Sequence, residues 1–595
     1  MPSSSSVTLK SATSIIVAIG CVLLAASFLG TSIPGTNEAH YFSKARSTAD
    51  PDWCVNDFFL QSQNAHAVFF AIIGPFAKTL PFPVVLAVGR LLSLLLVAIG
   101  LHSLCSAVGC CGRRSVLSAA LFFLIGLTGN FSGEWIIGGF ESKVPAYGFA
   151  FLGIATCIRN RIQPVGQRYV LAGAYICLAV SLHPVVGIWT AIALSMTEIW
   201  LWLRPHQSDC KDVQGICSLL RRGSTWGITS LVFALPGLIP ALQMLLSADV
   251  NVSTKQQAKQ IQVFYRLAHH LDPTRFSTFS WCHTAGLLAV LCATVVWLKR
   301  HRQAVSVHGS EDWQPRSENY LLKFLICTAI IAVIGIAIGW HSQPMIELSS
   351  RHWRAALLQF YPFRLFDAFL PLTTAIFLSA IGFGLSKKDG PDEGDSPTTV
   401  GQKTWHPQTW HPLRSLVGTT VIATAVIATA VCGMAAFSSR ANSPTGYSKK
   451  TFAEWKRACE WLKNNTAKDA LIYSPRESYA LKLFAERAEY VCFKDCPQDA
   501  EGIVEWNRRL WKRYYWSRQA YQDSIFDEAD LEQLHKKTGA DYVLTRQLKP
   551  FSMAPIWQSG PWRIYPTVVS KQDAKLDAMK NLGLRGEPND RTIGY

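Results

Sequence analysis

Long apolar stretches alternate with short polar segments along this 595-residue chain, and each is near the twenty or so residues a helix needs to cross a bilayer. They centre on residues 12–32, 83–104, 115–130, 145–158, 169–186, 187–203, 226–246, 282–298, 321–340, 366–385 and 415–437, so about eleven spans are expected. None of these runs alternates with period two, which argues for helices, whose backbone polar groups are satisfied within the segment, against the strands of a barrel. His183-Pro184 interrupts one continuous apolar stretch and predicts a tight hairpin or a kink. The first run, Ile15 to Leu29, has no small-residue cleavage site leading into a soluble domain and reads as a retained span.

After Phe437 the pattern changes. An amphipathic helix (KTFAEWKRACEWLKNN) leads to a short apolar run (ALIYS), a helix (ESYALKLFAERA), a strand candidate (YVCFK), a long helix (AEGIVEWNRRLWKRYYWSRQ), another helix (EADLEQLHKKTG) and a further strand (DYVLTR). The expected fold is therefore an all-α polytopic membrane domain over residues 1–437, followed by a small α/β soluble domain over 438–595. Residues 386–414, rich in Gly, Pro, Ser and charge, read as a flexible linker before the last span. The soluble part has no GxGxxG and no Walker loop, so no nucleotide site is indicated.

Composition agrees with this reading: 49% of residues are hydrophobic, only 16% are charged, and the mean hydropathy is +0.17. The net charge of +17 does not call for nucleic acid. Placing the N-terminus in the cytoplasm puts Arg113, Arg114, Arg159, Arg161, Arg168, Arg204, Lys211, Arg221, Arg222, Lys299, Arg300, Arg302, Lys387, Lys388 and Lys403 on that side, where a Lys/Arg excess belongs. The chain is thus expected to span a membrane with its N-terminus inside, with anionic lipid as a partner and, after an odd number of spans, an external C-terminal domain. Of the sixteen cysteines, many lie inside apolar segments, and none shows the spacing of a zinc site. Cys492 and Cys496 are either a disulfide or two free thiols.

Three polar loops change the picture. The external loop 33–66 carries Glu38, His40, Asp50, Asp52 and Asp57 just outside the first span, and an amphipathic segment (AVFFAIIGPFAKTL) follows it. The loops 248–280 and 341–365 are basic on the side where topology disfavours positive charge; they hold Lys255, Lys259, Arg266, His269, His270 and Arg275, then His341, Arg351, His352, Arg354 and Arg364. An anionic ligand such as a lipid-linked phosphate accounts for that excess, and so do phospholipid headgroups.

The segment NEAHYFSKAR at 37–46 resembles the first external loop of the C-type superfamily of membrane glycosyltransferases, and GRLLSLLL at 89–96 is similar to the start of its second span. The plan of about eleven spans with a soluble external domain resembles that superfamily too. GGFESK at 138–143, SLHPVVGIW at 181–189, HHLDP at 269–273, YPFRLFD at 361–367 and RAEYVCFKDCPQDA at 487–500 look similar to a family of bacterial multi-spanning proteins for which no activity is implied.

The superfamily resemblance implies transfer of a sugar from a polyprenyl-phosphate donor to an acceptor hydroxyl, with inversion. That reaction needs a base for the acceptor proton and cations for the departing phosphate. Glu38 is the expected base and Asp57 the second choice, although Asn37 stands where many members carry an acid. Arg364 is the leading phosphate ligand, since a guanidinium fork suits bidentate contact. Arg351, Arg354, His269, His270, Glu141 and Lys143 complete the expected binding set. Each has a structural alternative: Arg364 pairing with Asp367, Glu141 with Lys143, His183 satisfied at a helix break. No resident cofactor is indicated, and metal use stays open. The competing readings are a non-enzymatic carrier of a lipid-linked or anionic substrate, although no internal repeat is visible, and an assembly scaffold.

Overall fold

The computed structural model describes residues 4–110, 112–162, 166–203, 231–247, 249–305, 315–344, 347–384, 447–475 and 480–568. The chain divides into two compact units. One comprises Met1–Gly35, Ala65–Phe69 and Pro83–Ala441; the other comprises Thr36–Asn64, Phe70–Phe82 and Asn442–Tyr595. The segment after the first span thus belongs to the same unit as the C-terminal region.

The first unit is helical. Six of its helices are long and apolar enough to cross a membrane: Ala12–Gly30, Phe82–Ala107 (which begins one residue before the unit boundary), Pro184–Leu203, Thr278–Arg300, Ser317–Gly339 and Arg364–Ile381. Six, against the eleven expected, are found among the described residues. The segment at 115–130 forms a helix of only 16 residues, Arg113–Thr128. The one at 145–158 lies on Lys143–Ile162, whose ends carry Lys143, Arg159 and Arg161. The segments at 169–186 and 226–246 give the shorter apolar helices Arg168–Leu182 and Leu231–Leu246. The expected span at 415–437 and the linker at 386–414 lie outside the described residues.

Arg90, buried in the Phe82–Ala107 helix, shows why a cation is tolerated there. Its guanidinium donates to the carbonyl oxygens of Thr31 (2.8 Å) and Ser32 (2.6 Å), closing the open end of the first span's hydrogen-bond ladder. Between Gly166–Leu182 and Pro184–Leu203, His183 is the only residue outside both helices, and Pro184 takes the first helical position, where its missing N–H is no loss. The break is a tight one, as the sequence pattern predicts.

The second unit contains a five-stranded sheet in the order β2-β1-β3-β5-β4: β1 Leu471–Tyr473, β2 Ala488–Glu489, β3 Tyr542–Thr545, β4 Trp557–Ser559 and β5 Trp562–Pro566. β1 runs parallel to β2 and β3, while β3–β5 and β5–β4 are antiparallel. The helices Lys449–Asn465, Ala500–Gln519 and Glu528–Thr538 fall on the expected segments, and their starts are capped by Ser448, Asp499 and Asp527, each side chain accepting from a first-turn N–H. Trp455, Trp506, Trp516 and Trp562 are fully buried in this unit.

Two local expectations are corrected. The strand at YVCFK sits two residues earlier, at Ala488–Glu489, and Tyr490 onward is irregular. The polar stretch after the first span is largely the helix Thr36–Ala49, which buries Glu38, Ala39, Phe42, Ser43, Lys44 and Ala45. Phe42 and Ser43 fall three and four residues along from Ala39, the spacing that puts side chains on one helix face.

Candidate functional site

Each unit holds a buried cluster of charge. In the helical unit the organising residue is Asp367, on the first turn of the Arg364–Gly384 helix. Its carboxylate accepts from the backbone N–H groups of Phe131 (2.5 Å), Ser132 (2.8 Å) and Glu134 (2.8 Å), and from the Ser132 hydroxyl (3.1 Å). Successive N–H groups turned onto one carboxylate force the 130–134 loop into a fixed loop around an anion. Gly133 makes this possible. Its φ of +82° lies in the left-handed region, and any Cβ there would collide with the His270 ring.

The loop so held delivers Glu134, which is buried. Its Oε2 lies 3.1 Å from Arg364 Nε and 4.0 Å from Lys143 Nζ, and Lys143 in turn stands 3.4 Å from Glu141. Arg364 also donates to His183 Nε2 at 3.0 Å and lies over the Tyr361 ring, its Cζ 4.2 Å from the centroid. Tyr361 has φ +57°, a region in which few residues other than glycine are found. His66 packs beside His183, with ring centroids 4.7 Å apart. His270 bonds the Ser132 carbonyl, and burial, followed by the adjacent His269, pushes its pKa down to about 3, so the ring is neutral at ordinary pH. A small cavity runs past this cluster, lined by Glu134, Asp367, Asn130, Trp135 and neighbouring apolar groups.

Of the residues expected to bind phosphate, Arg364, Lys143, Glu141 and His270 therefore gather around the 130–143 segment, and the His269 ring lies tilted beside His270 with centroids 4.0 Å apart. Arg354 is used elsewhere. It donates to the carbonyls of Ile338 (2.9 Å) and Trp340 (2.7 Å), capping the end of the Pro315–Gly339 helix. Arg351 opens the Arg351–Leu358 helix. Arg364 pairs with Glu134, a residue the sequence reading passes over. Glu141 and Lys143 do pair with each other.

The second unit builds its cluster around Lys482. The ammonium, almost fully buried, lies 2.7 Å from Asp495, 3.1 Å from Glu489 and 3.2 Å from Asp57. Asp57 also caps the Phe58–Gln61 helix by accepting from Leu60 N at 3.1 Å, and it accepts from the β2 backbone at Glu489 N at 3.0 Å. His40 bonds the other oxygen of Asp495 at 3.0 Å. Burial opposes the Lys482 charge, but Asp495, Asp57 and Glu489 outweigh it and raise its pKa. For Glu489 burial prevails over Lys482 and lifts the carboxyl to about 7; for Asp495, Lys482 and His40 overcome burial and hold the carboxyl well below its usual range. Lys44, lowered to about 8 by burial, donates to the carbonyls of Phe59 and Leu60 at 2.9 Å each.

Glu489, Cys492 and Asp495 present three ligand atoms within 4.8 Å of one another, a spacing a divalent ion could use. Lys482 already bonds two of the three, so a cation of the chain itself fills that role. Cys492 and Cys496 are free thiols. Asp57 is thus committed to a cap, a strand and an ion pair. Glu38, the expected base, is buried in the first turn of the Thr36–Ala49 helix and belongs to this unit, whereas Arg364 belongs to the other.

These elements define a class: a helical membrane protein with six candidate spans among the described residues and a small α/β unit near its C-terminus. A family model described as "Domain of unknown function (DUF6798)" matches residues 453–512, from the Lys449–Asn465 helix into the Ala500–Gln519 helix. None of the curated proteins matches the chain. Among solved structures, the crystal structure of the Archaeoglobus fulgidus oligosaccharyltransferase in complex with Zn and sulfate is similar at a TM-score of 0.41 and 13% identity, over 89% of this chain and 67% of that one.

Proposed function

We propose that the chain is an integral membrane glycosyltransferase that moves a sugar from a polyprenyl-phosphate donor to an acceptor hydroxyl, with inversion, on the external face of a bacterial inner membrane. The observation that carries this reading is the Arg364–Glu134–Lys143 group. A guanidinium and an ammonium meet at one carboxylate inside a helical unit, and buried charge among apolar helices is expensive enough that it marks function by default. A departing lipid phosphate exchanged for Glu134 would find the two cations already oriented, and Arg364 would offer it a fork of donors. The resemblance of NEAHYFSKAR to the superfamily's first loop supports the same reading and gives Glu38 the part of base.

The test is transfer from a defined polyprenyl-phosphate sugar to an acceptor extract by the purified chain in lipid nanodiscs. Under this reading Arg364→Gln abolishes transfer and Arg364→Lys leaves a residue of it, while Glu38→Gln abolishes transfer with folding intact. Wild-type transfer in both Arg364→Gln and Glu38→Gln would overturn the assignment.

A second reading is favoured by one feature: both cations are already neutralised by Glu134 and Glu141. A carrier of an anionic lipid needs such exchangeable pairs too. It would show binding or movement of polyprenyl phosphate without sugar transfer.

A further inference from the structure

The helix Ala500–Gln519 has two unlike faces. Trp506, Leu510 and Trp516 are buried beneath it, whereas Trp511, Tyr514 and Tyr515 are 48%, 45% and 55% exposed. The exposed rings form one group: Trp511 stacks on Tyr515 with centroids 5.6 Å apart and meets Tyr514 edge-on at 5.8 Å. Cations flank them. Arg508 and Arg518 are exposed at the two ends of the stripe, the former paired with Glu505 one turn back and the latter 5.2 Å from the Tyr514 ring, and Lys512 lies between. Positions 508, 511, 515 and 518 follow a three-four spacing, which puts them on one face. From Trp506 to Gln522 the sequence has five basic residues and no acidic one. Arg509 and Arg513 turn inward, over Tyr490 and Tyr473 respectively, which leaves the other three for the surface.

From this arrangement we infer that the 508–518 face is an interfacial docking surface for an anionic phospholipid headgroup layer. Three large amphipathic rings held in water by a unit with ample core are unfavourable unless something covers them. Tyr and Trp suit the headgroup depth, where the ring is apolar and its polar tip stays wet. Guanidinium and ammonium groups between the rings select a negative layer, each adding about 1 kcal/mol near such a surface. The bilayer is also within the chain's own reach: the segments Thr36–Asn64 and Phe70–Phe82 of this unit each run directly into a candidate span, Ala12–Gly30 and Phe82–Ala107. A sugar could stack on the same rings, but it would have no use for the cationic excess that Arg508, Lys512 and Arg518 leave over Glu505 around them. The inference does not depend on the proposed transferase activity.

The experiment uses the full chain in nanodiscs, with the photoreactive p-benzoyl-phenylalanine placed at Tyr515 by nonsense suppression and intact mass as the readout. Leu92, 60% exposed on the Phe82–Ala107 helix, is the lipid-facing positive control, and Glu532, exposed on the Glu528–Thr538 helix, is the water-facing negative control. Position 515 should gain one phospholipid mass in phosphatidylglycerol-containing discs, severalfold above Glu532 and less in purely zwitterionic discs. Charge reversal at Arg508, Lys512 and Arg518 together should remove that difference between lipids. Labelling at Leu92 with none at Tyr515 would overturn the inference. So would a Tyr515 label that goes to protein, or one that a soluble oligosaccharide blocks in place of a lipid adduct.

Discussion

Glu134 Oε2 and Arg364 Nε stand 3.1 Å apart, joining the loop ahead of the Lys143–Ile162 helix to the first turn of the Arg364–Gly384 helix. With both groups almost out of reach of water, breaking this pair by removing one partner costs on the order of 3–5 kcal/mol, at the lower end where Lys143 still faces Glu134. Glu134→Ala and Arg364→Ala should each lower the thermal unfolding midpoint of the detergent-solubilised protein sharply. The double variant Glu134→Gln with Arg364→Gln should lose less than the sum of the two single Gln variants, because the second substitution removes a pair that the first has already broken. Additive losses would show that the two side chains do not act as a pair.

Asp367 sets where Glu134 lies. Three backbone N–H groups and a hydroxyl point at its two oxygens, and an amide could present only one oxygen to them. Asp367→Asn keeps the volume and turns an NH2 onto donors, so about 1–3 kcal/mol of stability should go with the misplaced loop. Asp367→Glu, which keeps the charge but moves it by a methylene, should not restore the wild-type midpoint. Hydrogen exchange across residues 129–136 is the direct readout: protection should fall in both variants and stay unchanged at the distant β3 strand.

How much of this is written in the sequence follows the range of the interactions. Apolar runs give the six span-length helices, His183-Pro184 gives its break, and the 3.6-residue periodicity gives the three long helices of the α/β unit, because each is decided within a few turns. Glu141 and Lys143 stand out in GGFESK and do pair. Glu134, a few residues earlier in FSGEW, has no spacing or periodicity to single it out; only Asp367 and Arg364, more than two hundred residues on, give it a role. The union of residues 36–64 with the C-terminal unit is hidden for the same reason, since Asp57 meets Lys482 and the β2 backbone across most of the chain. The β4–β5 hairpin joins a three-residue edge strand to a mostly buried five-residue one, and in neither does the alternation that marks a half-exposed strand develop.

Lys482 should be the least replaceable cation of the α/β unit. Lys482→Met conserves much of the side chain's volume and removes the charge that Asp57, Glu489 and Asp495 share. Three buried carboxylates would then face one another, and the expected loss is again on the order of 3–5 kcal/mol. Limited proteolysis of the full chain should show new cuts both in residues 36–64 and around β2, since Asp57 ties the two together. Cuts confined to one of them would break that link.

The same cluster makes the α/β unit respond to pH, and the sign follows from the two shifted carboxyls. Glu489 is raised from 4.5 to about 7 by burial, so between those values the folded unit holds a proton that the unfolded chain has released. Stability must then fall as pH rises across that window. Asp495 is shifted the other way, and its contribution, present above its ordinary 3.8, is lost as pH falls below that value. Together they predict a maximum on the acidic side of neutral, measurable as the pH dependence of hydrogen exchange at β1, β2 and β3. Glu489→Gln imitates the protonated carboxyl, still offers an oxygen to Lys482, and should flatten the slope between pH 4.5 and about 7 while leaving the acid limb in place. A slope that survives that substitution would have to come from a group other than Glu489.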